Sequence, residues 1–343
     1  MKKRLFELDL IRVIAIFSIL IYHFTLNDRE IFEVLKIGHY SNIHLGHFGV
    51  SLFLILSGTA LVISEKEKFS IKEFYKKRIK AIFPLYYLTF ILFYIKTKIT
   101  NPYRFCGVRK LSIIYTILGL DGLLSHWRPT FYLVGEWFIG CILIFYLFYP
   151  LLRKLIDKYP KITFIVLLLT NILIILNYNI TEIPFFFSPA VRFMEFVIGI
   201  YIGKYFIKNE LYKNKKLSIG ITIGSILLFI IFAFIQNNLN TMFNIITCGI
   251  SAFMIIFYLG RIITIERIKK IVSWFAKYSF AIFLVHHQIE NTFYARTQNI
   301  TLTRINWLIL LILYLVIVIA LGFILKKICD FIMSKLFKKK ESK

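Results

Sequence analysis

Apolar stretches long enough to cross a bilayer recur from one end of this chain to the other, and nothing constrains its fold more. In hydrocarbon every backbone N–H and C=O must find a partner within the protein. A chain of such stretches therefore predicts packed helices. The runs fall near 10–26, 46–64, 80–96, 131–152, 161–178, 185–206, 217–236, 240–260, 271–290 and 305–325. The expectation is an all-α, polytopic integral membrane bundle of about ten transmembrane helices. Apolar residues make up 58% of the chain and the mean hydropathy is +0.73. Soluble domains stand at roughly 45–50% apolar. The composition does not shift anywhere, so residues 1–343 read as one integral domain with no appended soluble domain.

The formal net charge is +25, and the placement of the charges speaks against nucleic acid as a partner. With the N-terminus inside, the inner segments hold 30 of the 43 Lys and Arg and the outer segments 10. That bias is the positive-inside pattern. It predicts a multi-pass protein of the cell membrane with both termini cytoplasmic, its basic loops touching anionic membrane lipids. The apolar stretch 111–125 is short for a span and reads as interfacial or re-entrant. As an eleventh span it would reverse the charge bias of every later loop. The basic start Met1–Arg4 before an apolar run is like a signal peptide. No small-residue cleavage site follows and nine more runs do, so the first run is expected to stay as a span. Cys106, Cys141, Cys248 and Cys329 are scattered and form no CxxC. Asn179-Ile180-Thr181 and Asn299-Ile300-Thr301 fit the glycosylation pattern.

Ionisable residues inside spans are costly and usually mark function. Arg12 and His23 stand eleven positions apart in the first run. Eleven steps of ~100° make about three turns, so both lie on one helix face, ~16 Å apart along the axis. His286 in the ninth run, Glu136 in the fourth, and Arg192 with Glu195 in the sixth are placed by the charge-derived orientation from the midplane outward. Arg192 and Glu195 are an i, i+3 pair that can also neutralise each other. Outside the membrane, His39, His44 and His47 lack a carboxylate or Cys partner, and no metal is expected. Lys76, Lys77, Arg78 and Lys80 crowd the start of the third run, against the helix dipole. An incoming polyanion would compensate them; so would ordinary headgroup anchoring.

Together these residues resemble the membrane-bound acyltransferase-3 family over most of the chain. Leu8-Asp9-Leu10-Ile11-Arg12, with Ala15 and then His23-Phe24, is similar to its opening motif. His47-Phe48-Gly49-Val50-Ser51-Leu52-Phe53, ending at Leu56-Ser57-Gly58, resembles its second span. Phe74-Tyr75-Lys76-Lys77-Arg78, running to Ile82-Phe83-Pro84-Leu85-Tyr86-Tyr87, resembles its basic third-span entry. Trp137-Phe138-Ile139-Gly140, Arg192-Phe193-Met194-Glu195-Phe196 and Tyr278-Ser279-Phe280 through His286 complete the series. Two positions depart from the pattern: Ala81 stands where a second arginine is common, and Ile142 where a carboxylate or Gln is.

The resemblance implies transfer of an acyl group, usually acetyl from acetyl-CoA, to a hydroxyl of a cell-surface glycan or lipid-linked sugar. It implies His23 as base or acyl carrier, with Arg12, His286 and Glu136 catalytic. Arg78, Lys77 and Arg12 would bind the acyl-CoA, and Arg192, Glu195 and Trp137 the acceptor. A thioester is already activated, so its transfer needs a base, a site for the developing anion, and alignment. The competing expectation is a transporter, such as a flippase of lipid-linked sugars. It predicts an inverted repeat or matching broken spans, and the sequence carries neither.

Overall fold

Residues 5–26, 44–65, 68–178, 183–235, 240–298, 300 and 302–338 are described in a computed structural model of the chain. His39, Asn179, Thr181, Asn299 and Thr301 lie outside them. Among the described residues the regular structure is helical throughout. In chain order the α-helices are α1 (Phe6–Leu26), α2 (Leu45–Ser64), α3 (Ile71–Thr100), α4 (Ile113–Leu118), α5 (Asp121–Leu124), α6 (Glu136–Lys158), α7 (Pro160–Leu176), α8 (Pro189–Tyr201), α9 (Lys215–Phe234), α10 (Thr241–Ile262), α11 (Glu266–Thr297) and α12 (Arg304–Lys338).

Helices α1, α2, α3, α6, α9, α10 and α12 are long and apolar enough to span a bilayer. Three further expected spans coincide with helices of another character. Helix α7 is apolar but has 17 residues. Helix α8 has 13 and is prolonged by a π turn over Ile202–Ile207. Helix α11 runs for 32 residues but carries too many charged side chains to match on composition. The stretch 111–125 does not span: a 3-10 turn at Lys110–Ser112 leads into the short helices α4 and α5. The protein is a polytopic helical membrane bundle.

Local sequence explains several starts. Ser70 accepts the Glu73 N–H at the head of α3, at 3.3 Å. Asn214 and Asn240 do the same for α9 and α10, accepting from Leu217 and Met242 at 3.1 and 2.9 Å. These satisfy donors that a helix start leaves orphaned.

The chain divides into two compact units. The first comprises residues 1–67 and 147–277. Its centre is α2, 67% buried, whereas α9 is 22% buried and keeps most of its apolar surface uncovered by the described residues. The core gathers Ile11, Ala15, Leu52, Ile55, Met242 and Phe253. Helices α2 and α8 meet backbone to backbone. A Cβ on Gly199 would fall 2.0 Å from the Ile55 carbonyl, and one on Gly58 2.2 Å from that of Phe196. Small residues permit this approach, as is common between membrane helices. Thr59 uses it to donate to the Gly199 carbonyl at 2.9 Å. At one end Glu65 gathers the Tyr149 hydroxyl (3.2 Å), Arg153 (2.5 Å) and Lys208 (3.6 Å), while Asp157 takes Arg153 (3.2 Å) and Lys204.

The second unit comprises residues 68–146 and 278–343. Here α12 packs on α3 and on α11; a Cβ on Gly322 would meet Ile282 at 2.8 Å. The segment between α3 and α6 is tied back to α3. The Tyr86 hydroxyl donates to the Thr116 carbonyl at 3.0 Å and that of Tyr87 to Ile117 at 2.6 Å.

Candidate active site

In the second unit the site is built around the start of α6. The apolar run 131–152 puts Glu136 about five residues inside a span; the helix itself begins at Glu136. Residues 129–133 approach without helical structure, and Gly135 turns the chain at φ 78°. That left-handed value is open to glycine at little cost. A Cβ at Gly135 would also press within 3.0 Å of the His287 ring. The turn folds the Glu136 carboxylate back onto the loop before it. The Leu133 N–H donates to its two oxygens at 3.0 and 3.1 Å, and the Val134 N–H to one of them at 2.9 Å. Glu136 is 0% exposed. Amide donors of this kind are what hold a carboxylate away from water.

Helix α11 closes over this loop. Gln288 Nε2 donates to the Leu133 carbonyl at 2.8 Å. His286 is fully buried, and its Nδ1 donates to the Phe283 carbonyl one turn back. A carbonyl can only accept, so the ring's lone pair sits on Nε2. The rings of His286 and His287 are 4.2 Å apart, and Phe283 packs on Phe138 of α6 at 5.2 Å. Trp137, buried, stands edge-on to Phe138. Glu136, Trp137 and His286 therefore come together, with His287 and Gln288 beside them. Gln288 went unselected because a polar residue near a helix end carries no signal until its partner is known.

Along α3, Lys77 is exposed and Arg78 half-buried. The Arg78 guanidinium lies 5.8 Å from the ring centres of both Phe74 and Tyr146. Both rings are at the outer range of cation–π contact with the guanidinium.

The first unit holds the other expected residues. Arg12 and His23 both lie on α1, as the spacing predicts. Arg12 faces Asp9 at 3.9 Å, and Asp9 also accepts from Ser273 at 3.0 Å. His23 is half-buried, edge-on to Tyr22 with ring centres 5.3 Å apart. Tyr22 in turn meets His44 and His47, and His47 stacks on Phe186 at 4.4 Å. Arg192 and Glu195 form an ion pair at 3.2 Å with both side chains 0% exposed. Arg192 also donates to the His47 carbonyl at 3.1 Å. Gly249 makes room for Ser51 next to this pair; a Cβ there would overlap the Ser51 hydroxyl at 1.9 Å. Neither side chain is exposed among the described residues, and the bond from Arg192 to the His47 carbonyl ties α8 to α2.

Acyltransferase MdmB of Streptomyces mycarofaciens is 30% identical over 122 residues. The match covers 34% of this chain and 30% of that protein, so it spans less than a third of the relative's length. No solved structure matches the chain. A family model described as an acyltransferase domain matches residues 5–327. That stretch contains every candidate site residue named above, and the chain accordingly belongs to the acyltransferase-3 family, its membrane helices making up an acyltransferase domain.

Proposed function

We propose that the protein moves an acyl group, acetyl from acetyl-CoA, onto a hydroxyl of a cell-surface or lipid-linked carbohydrate. The observation that carries this reading is the enclosed arrangement of Glu136, Trp137, His286 and His287, placed by Gly135 and Gln288 within a chain of this family. It supplies proton acceptors in a water-poor setting, where they act most strongly. In the reaction the acceptor oxygen attacks the thioester carbonyl. Its proton passes to a base, the C–S bond breaks, and the thiolate of CoA leaves and is protonated. His23, half-buried on α1, is the group assigned to the acceptor proton or to carrying the acyl group. Mass spectrometry of surface carbohydrates from cells with and without the protein tests the reading. Loss of an acetyl mass on a glycan supports it, and unchanged glycans and lipid-linked sugars refute it.

The donor is assigned to the basic face of α3, Arg78 with Lys77. Arg78→Ala is expected to weaken CoA binding well beyond any change in thermal stability, because Arg78 is half-buried against two rings and not sealed in a core. Arg78→Lys should restore part of it, since Lys cannot make the bidentate phosphate contact. CoA affinity equal to wild type in Arg78→Ala would take the residue out of the site.

The charge bias supports a cell-membrane protein with both termini cytoplasmic. Reporter fusions after Asn42, Asn179 and Asn299 should read outside and a fusion after Asn214 inside. A cytoplasmic reading after Asn299 would reject that orientation.

A further inference from the structure

In the first unit, a recess opens at the end of the α9–α10 hairpin where α9 starts and α10 stops. The charge bias assigns that end to the cytoplasmic side. Met254, Tyr258 and Arg261 follow one another at four and three residues along α10, and Ser218, Ile221 and Thr222 lie within one turn of α9. Each set shares one helix face, and the two faces line the recess. Phe206, Tyr212 and Phe257 close it from the side: Phe206 is 6.4 Å from Tyr212 and 6.0 Å from Phe257, and Tyr212 is 5.8 Å from Phe257, ring centre to ring centre. Phe206 comes from the π turn that prolongs α8, a rare geometry that is frequent at functional sites. The recess measures about 210 Å³ with its open side included.

Its two ends differ in chemistry. Arg261 stands at the end of the hairpin, its guanidinium 4.5 Å from the Tyr212 ring centre, and Nη1 donates to the Tyr212 carbonyl at 2.6 Å. The same carbonyl accepts from the Ser218 hydroxyl at 2.8 Å, so the turn before α9 is locked to both helices through one oxygen. One nitrogen of the fork is thereby fixed, and among the described residues no acidic side chain takes the other two. The Tyr258 hydroxyl, one turn back in the recess, has no hydrogen-bond partner among them either. Lys215 and Lys216 open α9, whose first turn carries no acid, against the helix dipole. Glu210, the acid of the preceding turn, is spent on Lys213 at 2.6 Å. The deeper end is apolar, with Met254, Ile221 and Phe257. From Arg261 to Met254 is roughly 10 Å along the helix at ~1.5 Å per residue. Cationic donors at one end and apolar side chains farther in match a molecule with an anionic head and a hydrocarbon tail.

We propose that this recess binds an acidic phospholipid of the surrounding bilayer, with the phosphate on the free edge of Arg261 and the Tyr258 hydroxyl and the start of an acyl chain between α9 and α10. Basic loops attract anionic headgroups diffusely. Here a carbonyl and a ring hold one guanidinium in place, and a forked donor so held suits two oxygens of a single phosphate. The uncovered apolar surface of α9 gives the rest of the chain a path away from the recess. The proposal does not depend on the acyl-transfer reading.

The test uses full-length protein purified in detergent, with phosphatidylglycerol, phosphatidylcholine, glycerol 3-phosphate, inorganic phosphate and CoA added in turn. Native mass spectrometry counts bound molecules, and thermal unfolding reads the stabilisation that binding produces. Wild type should hold one phosphatidylglycerol and unfold at a higher temperature with it, and do neither with phosphatidylcholine. Arg261→Ala should weaken that binding by about tenfold or more, and Arg261→Lys by less, since Lys keeps the charge and lacks the fork. Ile221→Phe, which fills the recess and leaves Arg261 in place, should also lose the lipid. Lys270→Ala removes one charge from the same basic side outside the recess and should change nothing. Equal binding of phosphatidylcholine, wild-type binding in Arg261→Ala, or equal weakening by Lys270→Ala would overturn the proposal. Stabilisation by inorganic phosphate or glycerol 3-phosphate equal to that by phosphatidylglycerol would make the recess a plain anion site, and displacement of the lipid by CoA would give it to the acyl donor; either result overturns the lipid assignment. If Arg261→Ala does not insert, Ile221→Phe decides, since lipid retained there overturns the proposal equally.

Discussion

Purified His23→Ala protein is expected to lose acyl transfer by a factor of ~10² or more, the scale at which general bases contribute. The imidazole is half-buried on α1, edge-on to Tyr22, and not part of a sealed core. Its truncation should therefore cost only about 1 kcal/mol of stability, and insertion should be normal. The sign of the pH dependence follows from the role. A base or acyl carrier must be neutral to act, so wild-type activity should rise with pH, and that limb should be absent in His23→Ala. His286→Ala should show the opposite balance. Its ring is fully buried and anchored to the Phe283 carbonyl, so stability should fall more and transfer less. Near-normal transfer by His23→Ala with loss in His286→Ala would exchange the two roles, and normal transfer by both would end the membrane-histidine mechanism.

Glu195→Ala is expected to destabilise the protein by about 3–5 kcal/mol, the cost of leaving a buried charge uncompensated. Arg192, 0% exposed, would keep its contact to the His47 carbonyl but lose its counter-ion. The double change Arg192→Met with Glu195→Leu should recover most of that loss, because apolar residues of similar volume replace buried ion pairs at little cost. Thermal unfolding in detergent measures both. The double variant also separates packing from substrate recognition, the part the sequence resemblance assigns to these residues. Stable protein with normal transfer makes the pair a fastener between α8 and α2. Stable protein without transfer makes it part of acceptor binding.

Several features were legible without coordinates. Run length alone implied membrane helices, because a bilayer accepts no unpaired backbone, and helices stand at each expected span. The three-turn spacing of Arg12 and His23 put them on one helix, since that relation is internal to α1. The short run 111–125 was correctly kept out of the spans for the same reason of length.

Tertiary structure decided what depends on neighbours distant in sequence. Asp121 in Leu120-Asp121-Gly122 looks like one polar residue in an interfacial segment; its complete burial follows from Gly122 admitting the Trp137 backbone, Tyr86 holding α4 and Thr130 closing the loop. Arg192 and Glu195 are three residues apart in any reading, but only Ser51, Gly249 and the His47 carbonyl seal them. Glu136 became a loop-wrapped carboxylate because Gly135 turns at φ 78° against His287, a contact between helices α6 and α11 that no periodicity records. A pattern of apolar residues tells which face of a helix leaves water or lipid. It does not tell which backbone arrives to cover that face, and for an ionisable group the arriving partner sets both its desolvation and its charge.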